Sequence, residues 1–350
     1  MNFISDNAYG AAPEILAALT RANDGTDSSY GADQISKRIT EKLSALFERE
    51  VAVFPVATGT AANSLTLATL TPHYGGVLCH DGAHIHVDEC GAPSFFSGGA
   101  TLLPVAGANG KLTPEALRTA LTHFHRGDVH QVQPLTISLT QATERGTSYS
   151  VDEVRAIGSF AKAQKMSLHM DGARFANAVS FLGRTPADVT WRAGVDAMSL
   201  GLTKNGAISA EAVVFFDPAR AADFEFRRKR SGHLFSKMRF VSAQIEAMLD
   251  GGLWLRLAGH ANAIARHLAK GLSDLPGFSI DSPVEANEVF CRLPNKQIAA
   301  ALHAAGAKFY VWGPAGHHPL IRLVCSFATT EKDVEAFLTA ARRTADLKAG

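Results

Sequence analysis

Alternation is the feature that most limits what this chain can fold into. Helix-like and strand-like stretches take turns through its first two thirds: GADQISKRITEKLSALFE reads as a helix, VAVFPVA as a strand, TAANSLTLATLT as a helix and GGVLCHD as a strand. The pattern continues with LTPEALRTALTHF as a helix, PLTISLT as a strand and SVDEVRAIGSFAKAQK as a helix, followed by the strands MSLHMD and EAVVFFD. Such alternation predicts an α/β layer architecture around a largely parallel sheet.

From about residue 235 the texture changes. A helical stretch, QIEAMLDGGLWLRLAGHANAIARHLAKGLSDL, leads into short strands, EVFCRL and LIRLVCSF, on either side of the helix PNKQIAAALHAAG. This predicts a smaller appended α+β domain, with residues 1–250 forming the large domain and residues 251–350 the small one. With 350 residues, 46% of them hydrophobic and 19% charged, the chain is long enough to bury the cores this requires.

Charge excludes some functions. The 34 Lys+Arg balance 33 Asp+Glu to a formal net charge of +1, so no global field recruits nucleic acid or an anionic membrane, and a small-molecule substrate is the better expectation. Cys79, Cys90, Cys291 and Cys325 form no CxxC pair, which argues against a zinc site or a disulfide framework and for free thiols in a reducing compartment. The opening MNFISDNAYGAAPEIL lacks the basic and apolar regions of a signal peptide, and no apolar run approaches the roughly 20 residues of a membrane span. A cytoplasmic protein is expected.

Ligands of open α/β sheets gather at the carboxyl ends of the strands, which directs attention to Thr58–Thr60, Asp81–His86, Gln141 and Asp171. In ATGTAANS, the small residues Gly59, Thr60 and Ala61 stand between a strand and a helix, where backbone amides can approach an anion; the same residues also suit an ordinary helix cap. Asp171, at the end of LHMD, could hold a buried cation or a protonated ring nitrogen, or cap a helix, with Arg174 close behind it in a salt bridge. His84 and His86 lie two apart, so on a strand both would face one side and could imitate a metal pair; without a third ligand no metal site is expected. The alternative for His84 is an imidazole over a cofactor ring, where it could relay a proton, while surface or supporting roles suit His86, Asp88 and Glu89.

Lys204 follows Asp171 in the small, polar setting GLTKNGA, which leaves room for a flat ligand. A phosphate cradle, a strand-end carboxylate and a downstream lysine, in that order, suggest pyridoxal phosphate: the lysine for a Schiff base, the carboxylate for the pyridinium nitrogen, the amides for the phosphate. Arg322 lies inside the apolar strand PLIRLVCSF and needs a partner there, either a substrate carboxylate or a structural acid. The basic cluster Arg227–Arg230, with Lys237 and Arg239, could bind nucleic acid, but the interleaved Phe224, Phe226, Phe235 and Phe240 suggest a packed helix and turn at a subunit interface.

At SDNAYG, TGTAANS, AHIHVDECGAP, LHMDGARFANA, TKNG and IRLV the chain resembles the low-specificity L-threonine aldolases, grouped with the β-eliminating lyases among fold-type I pyridoxal phosphate enzymes. The resemblance implies an aminotransferase-like α/β fold with an N-terminal arm at the active site and a homotetramer built from dimers. It implies retro-aldol cleavage of L-threonine or L-allo-threonine to glycine and an aldehyde, with β-elimination, transamination or a non-catalytic binding protein as the rival readings. Lys204 would be the Schiff-base lysine, Asp171 the partner of the pyridine nitrogen, and His84 the imidazole stacked on the ring. Gly59, Thr60 and Ala61 would lie at the phosphate, with Gln141, Thr203 and Lys237 as further cofactor contacts. Arg174 would reach both the cofactor and the substrate carboxylate, which Ser5 and Arg322 would also bind. His84 and His130 are the candidates for the base at the substrate hydroxyl. One departure stands out: where many relatives read Glu-Asn-Thr-His-Asn-Gly this chain reads TQATERG, so Gln141 and Glu144 replace polar groups near the cofactor.

Overall fold

The computed structural model describes residues 1–312 and 318–345. Eleven strands occur among them: β1 (Ala52–Val56), β2 (Gly75–His80), β3 (Thr101–Val105), β4 (Gln133–Thr140), β5 (Ser167–Gly172), β6 (Ala197–Gly201), β7 (Glu211–Phe215), β8 (Ser279–Ile280), β9 (Glu288–Arg292), β10 (Tyr310–Trp312) and β11 (Leu320–Val324). The helices are α1 (Pro13–Ala22), α2 (Gln34–Leu46), α3 (Gly59–Leu70), α4 (His84–Val87), α5 (Ala92–Ser97), α6 (Pro114–Leu121), α7 (Val151–Ala163), α8 (Phe175–Leu182), α9 (Phe224–Arg230), α10 (Arg239–Leu249), α11 (Leu253–Ser273), α12 (Lys296–Ala304) and α13 (Glu331–Ala345).

Seven strands form one sheet in the order β1-β7-β6-β5-β4-β2-β3, in which β7 pairs antiparallel with both neighbours and β6, β5, β4, β2 and β3 pair in parallel. Strands β5, β6 and β7 are buried along their whole length, as expected of strands covered by helices on both faces. Local signals agree with this plan. Asp33 caps α2 by accepting from the Ser36 amide at 2.8 Å, and Ser150 with Glu153 forms a reciprocal capping box at the start of α7.

The helical text after residue 240 breaks into α10 and α11 because Gly251 and Gly252 take positive φ of 58° and 69°, a left-handed turn that glycine enters without a Cβ penalty. The first part of α11, with Trp254 and Ala258, packs in the large core, and its second part, with Ile264, Leu268 and Leu272, packs in the small one. Trp254 stacks on Phe175 of α8 at 6.2 Å, tying this helix to the sheet.

The four-stranded second sheet, β10-β11-β9-β8, is antiparallel throughout. The N-terminus joins it: the Phe3 amide donates to the Lys308 carbonyl at 2.8 Å, and the Val324 amide to the Phe3 carbonyl at 2.9 Å. Phe3, fully buried, meets the Phe337 ring edge-on at 5.3 Å in the small core. This anchor carries Ser5 and Asp6 toward the carboxyl ends of the large sheet.

Candidate active site

A cavity of about 590 Å³ opens where β1, β2, β4, β5 and β6 end, and the turns after these strands line it. Asp6, Gly59, Thr60, Asn63, His84, Glu144, Asp171, Arg174, Thr203, Lys204 and Glu211 are among its walls.

Lys204 sits in the turn after β6. That turn is held in place by its neighbours: the Leu202 amide donates to Glu211 Oε2 at 2.9 Å, Thr203 Oγ1 accepts from the Ala210 amide at 3.2 Å, and Asn205 Nδ2 donates to the Trp254 carbonyl at 2.8 Å. Lys204 has no ion pair within 4 Å among the described residues, so its amine faces the cavity uncommitted.

Asp171, 3% exposed, accepts from the Ala173 amide at 3.0 Å and from Asn63 Nδ2 at 2.8 Å. The other hydrogen of that amide goes to Glu89 Oε1 at 2.9 Å, which in turn meets His84 Nδ1 at 2.9 Å. Two carboxylates facing the same amide nitrogen settle which end of Asn63 points at them. The Glu89 hydrogen bond raises the pKa of His84, while burial raises that of Glu89 itself.

A second carboxyl holds the His84 backbone. Glu144 Oε1 accepts from the His84 amide at 2.8 Å and from the Thr140 hydroxyl at 2.9 Å, while Oε2, shielded from solvent, has no partner. Burial and the nearby Asp171 charge raise the Glu144 pKa. Beneath Asp171, His169 spans Ser138 on β4 at 2.9 Å and Ser199 on β6 at 3.3 Å, and burial lowers its pKa to about 4, which keeps it neutral.

The N-terminus of α3 supplies a cradle. Thr58 caps the helix by accepting from the Ala61 amide at 3.2 Å, which leaves the Gly59 and Thr60 amides without acceptors among the described residues. Free first-turn amides and the helix dipole favour an anion at this end. Ala61 therefore belongs to the cap, and the two residues before it form the open cradle.

Arg174 stands at the N-cap of α8. Its guanidinium donates from Nε to Asp6 Oδ2 at 2.8 Å and from Nη2 to Asp6 Oδ1 at 3.2 Å, while Nη1 lies 3.3 Å from Glu288 Oε2. Burial alone would weaken the Arg174 charge, but Asp6 and Glu288 more than reverse this. Asp6 is pushed up by burial yet ends below the ordinary carboxylate value through the Arg174 and Lys204 charges and bonds from Arg174 and Asn287. Arg322 Nη1 lies 3.9 Å from the other oxygen of Glu288, and its guanidinium packs on the Tyr310 and Trp312 rings at 5.2 and 4.7 Å. The two arginines expected at a substrate carboxylate thus flank one buried acid, and Arg322 Nε makes no hydrogen bond among the described residues.

Other expected residues lie elsewhere. Gln141 is fully buried and uses both ends of its amide on the Tyr149 backbone, at 2.8 and 2.9 Å, so it braces the turn after β4 and lies outside the cavity wall. Ser5 accepts from the Asn7 amide at 3.1 Å and caps the short turn that presents Asp6. Lys237 is exposed in the segment before α10, outside the cavity wall. His130 is exposed in the loop before β4, at the opposite end of the sheet. The length of β4, at roughly 3.3 Å per residue, puts it on the order of 25 Å from the cavity of its own chain. His84 and His86 fall on the single helical turn α4, so they do not share a face as they would on a strand, and His86 points to solvent. The basic cluster is largely engaged: Arg227 pairs with Asp223, and the buried Arg228 pairs with Glu225 and lies over Phe54.

Sequence reading missed Asp6, Asn63, Glu211 and Glu288; of the surface or supporting roles it gave Glu89, the 4% exposure leaves the supporting one. Asn63 carried a usable signal, since it lies four residues after Gly59 and so one turn along the same face of α3. Glu211 and Glu288 each open a strand ahead of apolar residues, EAVVF and EVFCR, where a lone buried acid needs a reason.

Comparison with known proteins agrees with this geometry. The family model described as β-eliminating lyase matches residues 2–295. A low-specificity L-threonine aldolase of a Pseudomonas species is 44% identical over 332 residues, covering 95% of this chain and 94% of its own, and one from Pseudomonas aeruginosa is 46% identical over 341 residues, covering 97% and 96%. The solved threonine aldolase of Leishmania major superposes with a TM-score of 0.92 at 26% identity, covering 98% of this chain and 99% of its own. A serine palmitoyltransferase from Sphingomonas wittichii shares the fold alone, with a TM-score of 0.73 at 17% identity, covering 99% of this chain and 88% of its own. The chain therefore belongs to the β-eliminating lyase family, on the side of the low-specificity L-threonine aldolases.

Proposed function

We propose that this chain binds pyridoxal 5′-phosphate and splits L-threonine, L-allo-threonine and related β-hydroxy-α-amino acids into glycine and an aldehyde. The observation that carries this reading is that Lys204 and Asp171 line one cavity with the free amides of Gly59 and Thr60. An uncommitted amine suits an aldehyde, a buried carboxylate suits a cationic ring nitrogen, and an amide cradle suits a phosphate, so the residues fit the cofactor. When bound, the cofactor supplies an electron sink for the bond that breaks at the amino-acid Cα.

The chain itself does the rest. Lys204 is the residue that would hold the cofactor covalently, and Asp171, its own position fixed by Asn63 and the Ala173 amide, would keep the ring nitrogen protonated. His84 would cover the ring, and because Nδ1 is engaged by Glu89, Nε2 is the nitrogen left to take the proton of the substrate hydroxyl. Glu89 then holds the charge that His84 acquires. Arg174, on the cavity wall, would orient the substrate carboxylate, with Arg322 supporting it across Glu288 and Ser5 through the turn that presents Asp6.

We propose a cytoplasmic homotetramer; exposed apolar side chains such as Phe95, at 78%, and Val87, at 55%, beside the segment that carries His84, support burial of this face between subunits. No described helix is long and apolar enough to cross a membrane.

Product analysis tests the activity. Cofactor-loaded protein given L-threonine is expected to release acetaldehyde and glycine; 2-oxobutyrate with ammonia would instead assign elimination chemistry to the same residues.

A further inference from the structure

Glu211 is a buried acid that the proposed reaction leaves without a task. It opens β7 and pairs in register with Gly201 of β6 on one side and Val56 of β1 on the other, at the edge of the sheet where the Lys204 turn begins. Only 6% of its surface is exposed, and it lines the cavity. Its Oε2 receives the Leu202 amide at 2.9 Å, and the Thr203 hydroxyl bonds to the same carboxyl. The carboxyl is therefore fixed to the two residues that precede Lys204.

Anchoring alone does not call for an acid. A glutamine oxygen would accept the same bonds without the cost of burying an ionisable group. The charged groups that act on Glu211 are Lys204 and Asp171. The neighbouring strands β1 and β6 and the helix α3 carry no charged residue; on α10, Glu246 is paired with Arg38, and Arg239 donates to the Gly25 carbonyl. Lys204 is thus the one cation in this set, and its charge draws the Glu211 carboxyl toward the ionised form.

We propose that Glu211 is a positioning residue for Lys204, tying the lysine turn to β7 and placing an ionisable carboxyl within electrostatic reach of the lysine nitrogen. Its own protonation decides whether a negative charge stands near that nitrogen, and so whether the environment of the attached cofactor changes with pH. Burial, reinforced by Asp171 and opposed by Thr203, Leu202 and Lys204, raises the Glu211 pKa to about 7, so both states are populated at neutral pH.

This inference rests on Lys204 being the cofactor lysine, and the test separates the two. Protein loaded with pyridoxal phosphate is followed by its visible absorption as pH is varied through neutrality, and borohydride reduction with peptide mapping identifies the attached lysine. Wild type is expected to show a titration step near neutral pH, and E211Q to keep the visible band while losing that step. E211D, which retains an acid on a shorter arm, is expected to show the step at a displaced midpoint, and serves alone if E211Q does not fold. A step unchanged in E211Q, or unmoved in E211D, overturns the proposal while leaving the cofactor assignment intact. A wild type with no reducible attachment at Lys204 overturns the assignment itself.

Discussion

Asn63 donates one amide hydrogen to Asp171 at 2.8 Å and the other to Glu89 at 2.9 Å. One buried amide therefore links the acid that faces a ring nitrogen to the acid that holds His84. The spacing of the two acids, and with it the position of the imidazole over the cavity, depends on α3 staying in register with β5.

Glu89→Gln is expected to lower the pKa of His84, because the hydrogen bond its imidazole donates to this carboxylate is the main cause of its rise. Only neutral His84 accepts a proton, so the acidic limb of the kcat/KM profile should move to lower pH in the variant. A histidine nitrogen NMR titration read beside the rate profile tests this. His84→Phe should reduce kcat by on the order of 10² to 10⁴ if the imidazole is the base. An acidic limb that stays in place in Glu89→Gln assigns the base elsewhere.

Gly201→Ala brings a Cβ to 2.6 Å from Ala173 Cα and 2.8 Å from its carbonyl oxygen. Both obstacles are backbone, so β6 and the turn after β5 must separate, at a cost of about 1–3 kcal/mol. Since Lys204 and Arg174 lie just beyond this contact, the expected outcome is a lower urea midpoint together with weaker cofactor binding. A variant with wild-type affinity would mean that the lysine turn is positioned independently of β5.

Residues at strand ends were legible in the sequence because a strand that stops at a polar cluster announces both its boundary and its ligand end. Lys204, Asp171, His84, Gly59, Thr60 and Arg174 all line the cavity for that reason. Asp6 was not legible, since its partners Arg174 and Asn287 lie 168 and 281 residues away and only the tertiary fold brings them together. Gln141 follows β4 directly, yet the turn it enters spends its amide on Tyr149, a local geometry that composition does not encode. The turn α4 is four residues long, too short for a helical period to appear, which is why His84 and His86 suggested a strand.

Arg174→Leu would leave Asp6 and Glu288 buried without their shared cation. Removing one partner from a buried ionic cluster costs about 3–5 kcal/mol, so chemical denaturation should register a loss of that size. Adding Asp6→Asn removes one stranded charge, and the double variant should recover part of the loss, a non-additivity expected of residues in direct contact. Additive losses would indicate that the Arg174–Asp6 fork contributes little of its own.

Glu211 has a consequence for stability that requires no cofactor. Its pKa rises from 4.5 to about 7 on folding, chiefly through burial, so the folded chain binds this proton more tightly than the unfolded one. The resulting stabilisation is fully present below about pH 4.5 and is lost as pH rises through about 7. Glutamine at this position carries no such proton. The unfolding free energy of wild type relative to Glu211→Gln should therefore fall with rising pH across that window, at up to about 1.4 kcal/mol per pH unit and on the order of 3 kcal/mol in all. Asp6, whose pKa is depressed, works in the opposite direction but is common to both proteins and cancels in the comparison. Urea unfolding of the two apoproteins at a series of pH values measures the difference directly. Parallel curves would mean that Glu211 enters the folded state already ionised, with Lys204 rather than burial in control of its proton.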